Sequence, residues 1–426
     1  MQCVQNASFQ TTNLFVTVAG VHPSHRAARA ATFVYFVLCG ALMGTWVVHI
    51  PAIEERVGIS HATLGGLLVL LGLGAFAGMQ VTGRLTDRLA PRLVVPATGV
   101  LSSAALVLPG LARSPWTLAG ALLAFGFANG CLDVSMNTHA VHVEKAYGRP
   151  IMSAFHATFS VGGVIAALAA AGAADAGMGP ATTLGVSAVL GTVVALTAAR
   201  GLLPGTPASA TTTAQAEQAP AAKRRSAPRR IWILAALALT TMLCEGAAND
   251  WSTLHLKDIL GAPASTAAFG YGTFAAAMTT GRLLADRVAA RFGSMAVLRY
   301  GSATAAVGIT IAAFSGSIWT AFAGWALFGL GLSGCVPQLF SAAGHADSSA
   351  AGANVSRVAG LGYLGMLAGP AVIGWLTHLT ALNHTFLLLT LLCVTTAVAA
   401  GVLRTGPGAT PDPDPEPAPE PACRNH

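Results

Sequence analysis

Apolar residues in this chain neither alternate nor keep to one helical stripe. They fill whole windows of about 20 residues, the length a helix needs to cross the hydrocarbon layer of a bilayer. Such windows lie at 31–50, 63–82, 93–111, 115–142, 151–171 and 180–200, and again at 231–252, 264–281, 295–313, 317–340, 356–376 and 380–403. Soluble strands would give apolar runs of only about 4 to 8 residues. The pattern predicts an all-α polytopic membrane protein with twelve transmembrane helices in two six-helix bundles, 31–200 and 231–404. Residues 1–30 lead into the first bundle, 201–230 link the two, and 405–426 form a tail.

Composition agrees, with 54% hydrophobic and 9% charged residues, where a soluble domain carries about 25% charge. The 201–230 segment is rich in Ala, Pro, Thr and Gln and reads as a flexible linker. The tail from Thr405 alternates Pro with acidic residues and is expected to be disordered. Arg26 and Arg29 directly precede a full-length apolar window, so the first window reads as a retained membrane helix, not a cleaved signal. With the N-terminus in the cytoplasm, all of the 23 Lys and Arg except Arg56, Arg113 and Lys257 fall on the cytoplasmic side. The positive-inside rule therefore predicts a multi-pass protein of the cell (inner or plasma) membrane with both termini cytoplasmic. Topology and anionic lipid account for the net charge of +7, so the bilayer is the expected partner and nucleic acid is not. The seven cysteines stand singly, without zinc or redox spacing. Cys39, Cys131, Cys244, Cys335 and Cys393 read as small packing residues.

The two sets of windows repeat one another. Leu38, Cys39 and Trp46 return as Leu243, Cys244 and Trp251. Gly83-Arg84-Leu85 returns as Gly281-Arg282-Leu283. Phe125, Gly126, Gly130 and Cys131 return as Phe328, Gly329, Gly334 and Cys335, while Ser153 and Gly162 return as Ser356 and Gly365. An even number of spans per half makes these parallel repeats, related by an axis along the membrane normal. Small-residue series at Gly72, Gly74 and Gly78, at Gly126 and Gly130, and at Gly365 and Gly369 predict faces where helices approach closely.

After the second window stands Gly83-Arg84-Leu85-Thr86-Asp87-Arg88-Leu89-Ala90-Pro91-Arg92. After the eighth stands Gly281-Arg282-Leu283-Leu284-Ala285-Asp286-Arg287, followed by Arg291. Here the sequence resembles the major facilitator superfamily, whose loop between the second and third helices carries Gly, a downstream Asp-Arg pair and further basic residues. Ala90 and Pro91 depart from the small-basic step usual there, and the second copy has one extra residue before its Asp. Glycine permits a tight turn, an aspartate suits a helix N-terminus, and an arginine can fork onto a carboxylate. The resemblance implies that Gly83, Asp87, Arg88, Arg92, Gly281, Asp286 and Arg287 form a latch closing the cytoplasmic side in one conformation. An ordinary charged turn is the alternative. Asp133-Val134-Ser135-Met136-Asn137, Gly148 to His156, and Glu245 to Trp251 resemble the YbjJ-like branch, broadly similar to sugar-proton symporters of the fucose permease kind.

Ionisable groups inside a bilayer are costly and by default mark a pathway. Asn129, Asp133 and Asn137 share one face of the fourth helix at intervals of four. His156 and Ser160 follow on the fifth, Glu245, Asn249 and Asp250 on the seventh, and Gln338, Asn354 and Arg357 on the tenth and eleventh. The resemblance implies that the first, fourth, seventh and tenth helices line the cavity, which places Asp133, Glu245 and Gln338 beside the solute path. Glu245 is the first choice for a proton-carrying carboxylate. Asp133 is expected to pair with His156 or Arg357 as an inner gate, a plain structural ion pair being the alternative. Trp46 and Trp251 are candidates to stack on a solute, or to anchor at the interface. His139 and His142 lack a third ligand, and no metal site is expected.

No nucleotide loop and no catalytic constellation is present, so the expected protein is not an enzyme and needs no cofactor beyond a proton as coupling ion. These readings converge on a secondary transporter that moves a small-molecule solute by alternating access, functional as a monomer, with a polar or sugar-like solute favoured. Proton-driven efflux of drugs or metabolites is the alternative, and a transport-dead sensor the more distant one.

Overall fold

The computed structural model describes residues 23–204, 228–267 and 269–403. The linker and tail readings fall on 205–227 and 404–426, outside those residues. Twelve long helices and no strand are present among the described residues. The first half consists of α1 (Pro23–Val57), α2 (His61–Arg88), α3 (Pro91–Leu111), α4 (Pro115–Tyr147), α5 (Met152–Asp175) and α6 (Pro180–Ala198). The second consists of α7 (Arg229–Ile259), α8 (Phe269–Phe292), α9 (Ser294–Ala313), α10 (Ile318–Ala346), α11 (Ala351–Leu376) and α12 (Leu382–Leu403).

Every predicted window became a helix, and most outgrew it. Residues 23–30, assigned above to the leading segment, are the first turns of α1. An apolar window measures only the hydrocarbon crossing, whereas a helix runs on until its ends are satisfied. The ends of α4 show this. Ser114 and Thr117 form a reciprocal cap ahead of Pro115, and Gly148 closes the far end at φ 63°, where glycine has no Cβ penalty. The matching start of α10 is capped by Ser317 on Thr320. Eleven of the helices are long and apolar enough to cross a membrane. α8 falls short because Arg282, Asp286, Arg287 and Arg291 crowd its second half.

Packing within the halves is alike. In the first, α1 lies on α5, α2 on α4, and α3 on α4 and α6; in the second, α7 lies on α11, α8 on α10, and α9 on α10 and α12. The halves meet through two equivalent pairs, α2 with α11 and α5 with α8. Glycines set the closest approaches. A Cβ on Gly126 or Gly130 would strike the carbonyls of Leu71 and Ala75 on α2, and one on Gly74 or Gly78 would strike those of Leu123 and Phe127 on α4. Gly40 and Gly44 meet Phe159 and Gly163 of α5 in the same way, as Gly365 and Gly369 meet Leu239 and Leu243 of α7. All five cysteines of the spans are buried and free, as small packing residues.

Because the α2–α4 contact is backbone on backbone, Gly126→Ala is expected to lower stability by about 1–3 kcal/mol through overpacking. Gly120→Ala, on the same helix with open space around it, is the control. Melting of the detergent-purified protein, followed by size-exclusion fluorescence, should drop for the first and hold for the second.

Candidate functional site

A cavity of about 560 Å³ lies between the halves. Its wall comes from α1, α2, α4 and α5 on one side and α7, α8, α10 and α11 on the other. Val47, Asn249 and Tyr271 stand exposed at its mouth, at the end away from the clustered Lys and Arg. The deep end, toward that basic end, is floored by Phe36, His156 and Phe340. The ring of His156 meets Phe36 of its own half edge-on at 5.2 Å and Phe340 of the other half at 5.8 Å. Most of the wall is apolar, with five methionines, four phenylalanines and two tyrosines.

Two polar clusters interrupt that wall, one around Asp133 and His156 and one around Arg282. Asp133 is buried; its Oδ1 accepts from Asn137 Nδ2 at 3.4 Å, and its Oδ2 has no partner. Asn137 bonds Asp133 O at 2.9 Å, and its Oδ1 accepts from His156 Nε2 at 3.2 Å. Arg282 of α8 reaches across the cavity: Nη2 donates to Glu245 Oε1 at 3.2 Å, and Nη1 to Ser160 Oγ of the other half at 2.9 Å. Its Nε is buried without a partner.

The basic end is shut by carboxylates set on helix N-termini. Neither α5 nor α11 has a side-chain cap from its own preceding residue. Asp87 of α2 accepts from the amides of Gly352 and Ala353 of α11 at 2.7 and 2.9 Å. Asp286 of α8 accepts from those of Ser153 and Ala154 of α5 at 2.9 and 2.7 Å. Each bond crosses between halves and places an anion at the positive end of a helix dipole. Glu144 fills the remaining amides of α5, Ile151 at 2.9 Å and Met152 at 3.0 Å, and also accepts from Ser341 of α10. Lys145 donates to the Gly344 carbonyl at 3.3 Å.

Of the residues singled out above, Asn129, Asp133, His156, Glu245 and Asn249 line the cavity. Several expectations need correction. Asp133 pairs with neither His156 nor Arg357: Asn137 stands between it and the histidine, and Arg357 donates to Asn354 at 3.0 Å. Gln338 does not line the cavity but is buried at the closed end, facing Ser153 Oγ at 3.5 Å. Trp46 is buried in the first-half core against Phe125, and Trp251 donates to the Pro370 carbonyl at 3.1 Å; neither faces the cavity. Asp250 is exposed at the mouth end, next to Asn249. Arg88 and Arg287 are exposed, and Arg92 donates to the Leu202 carbonyl at 2.8 Å, so none of the three forks onto a carboxylate among the described residues. His139 is used up by Thr32 and the Leu203 amide.

Arg282 is the residue the sequence reading misassigned. Matching Gly83-Arg84-Leu85 to Gly281-Arg282-Leu283 makes it a loop cation like Arg84, which is exposed. The latch aspartates give a different register. Asp87 lies four residues after Gly83, and Asp286 four after Arg282, so Arg282 occupies the position of Gly83, on the face toward the other half. The extra residue before Asp286 produced the shift. Gly83 packs on Ser356 and Gly352 of α11, whereas Arg282 fills the equivalent space with a charge. Glu144 was also missed; its signal was the pair of helix starts with no cap of their own.

The family model of the Major Facilitator Superfamily matches residues 31–346 and again 250–424. An MFS-type transporter of Yersinia pestis is 37% identical over 87% of this chain and 94% of its own length. A transporter of Sinorhizobium fredii is 34% identical over 87% of this chain and 96% of its own. Among solved structures, the MFS transporter FucP in the outward conformation superposes with a TM-score of 0.71 at 14% identity, covering 90% of this chain and 100% of that one. A second structure, of the E. coli fucose:proton symporter FucP, gives 0.68 at 15% identity over 88% and 98%.

Losing both latches should free the basic end. Charge-assisted bonds to backbone amides are worth about 1.5–3 kcal/mol each, so Asp87→Asn with Asp286→Asn is expected to raise the open population roughly tenfold or more. The check is the rate at which a membrane-impermeant maleimide, added from the basic side, labels a Phe340→Cys variant.

Proposed function

The chain belongs to the Major Facilitator Superfamily and is a multi-pass membrane transporter, and on that premise we propose that it carries a small amphiphilic solute by alternating access, coupled to protons. The observation that carries the coupling is Asp133: a buried carboxylate in the cavity with one unpartnered oxygen and no cation bonded to it. An anion so placed is expensive in a low-dielectric interior, and a proton on Oδ2 removes that cost. Priority as proton carrier thus passes from Glu245, which already has a cation, to Asp133. Glu245 serves as the second acid.

Alternating access follows from the two ends. In this conformation the mouth is open away from the basic end, and Asp87, Asp286 and Glu144 hold the basic end shut. Proton and solute enter from the mouth. The halves then rock, Asp87 and Asp286 leave the helix N-termini of the opposite half, and water takes over the four amides they had satisfied. We place the basic end in the cytoplasm of a cell membrane, following the charge bias. We take a monomer as the working unit. The wall of Met, Phe and Tyr favours a solute with an apolar body over the sugar-like solute expected from the sequence, since such walls bind by apolar burial and orient by a few polar groups.

The test uses proteoliposomes with an internal pH dye, challenged with pools of carboxylates, sugars and lipophilic cations. One pool is expected to dissipate a proton gradient in the wild type. Asp133→Asn should cut that flux by at least about tenfold, equivalent to about 1.4 kcal/mol of barrier, while solute exchange persists. Unchanged flux in both Asp133→Asn and Glu245→Gln would remove proton coupling through this cavity.

A further inference from the structure

We infer that the solute is an organic monoanion with an apolar body, held by its carboxylate on the Nε and Nη2 edge of Arg282. This deepens the proton-coupled reading above and rests on it. Arg282 is the one Arg in the cavity lining, which contains no Lys. Its charge is permanent, whereas Asp133, Glu245 and His156, the other ionisable lining groups apart from two tyrosines, can each change theirs. A cavity loaded with protons on its acids therefore keeps a fixed positive charge that nothing in the chain balances. An anionic solute supplies the balance; a cationic one adds to the excess.

The geometry of the guanidinium selects the anion's shape. Nη1 is engaged by Ser160 of the opposite half at 2.9 Å. Nη2 is held by Glu245 at 3.2 Å, and Nε is buried without a partner. Nε and Nη2 form the side edge of the fork, the geometry that takes the two oxygens of one carboxylate in parallel. Glu245 uses only half of that edge. When a proton settles on Glu245 its ion pair breaks, Nη2 is released, and the whole edge becomes available. Met242, Phe274 and Met278, which line the cavity beside this edge on α7 and α8, receive the apolar body.

Arg282 also ties occupancy to the gate. It lies one helical turn from Asp286 on the same face of α8. Arg282 holds Ser160 of α5, and Asp286 holds Ser153 and Ala154 of the same helix. A solute that draws on Arg282 therefore acts on the α5–α8 contact that keeps the basic end closed.

The experiment measures binding to the purified full-length chain with three probes of one shape: phenylbutyrate, phenylbutanamide and phenylbutylamine. The carboxylate is expected to bind at least about tenfold more tightly than the amide, a difference of about 1.4 kcal/mol, with the amine weakest. Glu245→Gln, which removes the charge paired with Nη2, should tighten carboxylate binding and leave amide binding unchanged. Arg282→Gln should erase the preference for carboxylate over amide, and Arg282→Lys should restore part of it. Three results would overturn the assignment: equal binding of amide and carboxylate by the wild type, a preference that survives Arg282→Gln, or no carboxylate binding at about 10 mM, where even a millimolar site would be nearly full. Binding needs no flux, so failure of proton coupling would appear separately, as absent flux with carboxylate binding intact.

Discussion

Two helices that begin without caps in the middle of the molecule are the constraint on which this structure turns. α5 and α11 start where the halves meet, and their first amides have no side-chain cap from the residues just before them. The chain meets that demand with carboxylates from other helices: Asp286 and Glu144 for α5, Asp87 for α11. A cap supplied from the opposite half is at once a structural necessity and a conformational contact. It can break only if something else solvates the amides, which is what an opened, water-filled end would provide.

The pseudo-twofold repeat makes the two latches equivalent but leaves the cavity unequal. Gly83 allows α2 and α11 to approach closely, while Arg282 at the matching place holds α8 to α5 and α7 through side chains. The second interface thereby becomes sensitive to whatever competes for the guanidinium. Asymmetry of this kind lets one fold with two alike halves carry chemistry on one side and packing on the other.

Depth within the cavity sorts its ionisable groups. Glu245 and Arg282 neutralise one another across the wall, while Asp133 and His156, lower down, are connected only through Asn137. The floor beneath them is aromatic, with His156 set between rings from both halves. Movement of Phe340 with the second half would therefore alter the surroundings of a histidine belonging to the first.

Much of the architecture is legible in the sequence. Runs of apolar residues determine membrane helices because the bilayer forces each span to satisfy its own backbone, so twelve helices, their repeat and their crowded glycine faces all followed from local pattern. Asp87 and Asp286, which bond amides across the halves, stood out for a similar reason, in a duplicated motif. What the sequence could not decide is where each side chain points. Trp46 and Trp251 occupy matched positions, yet one is sunk in a core and the other bonded to Pro370; Gln338 lies on a cavity-lining helix but faces its closed end; one inserted residue rotated Arg282 from a loop charge into the cavity wall. A helix turns about 100° per residue, so a shift of one position, invisible to hydropathy, changes the face on which a charge appears. Only the packing of the two halves determines which face encloses the cavity.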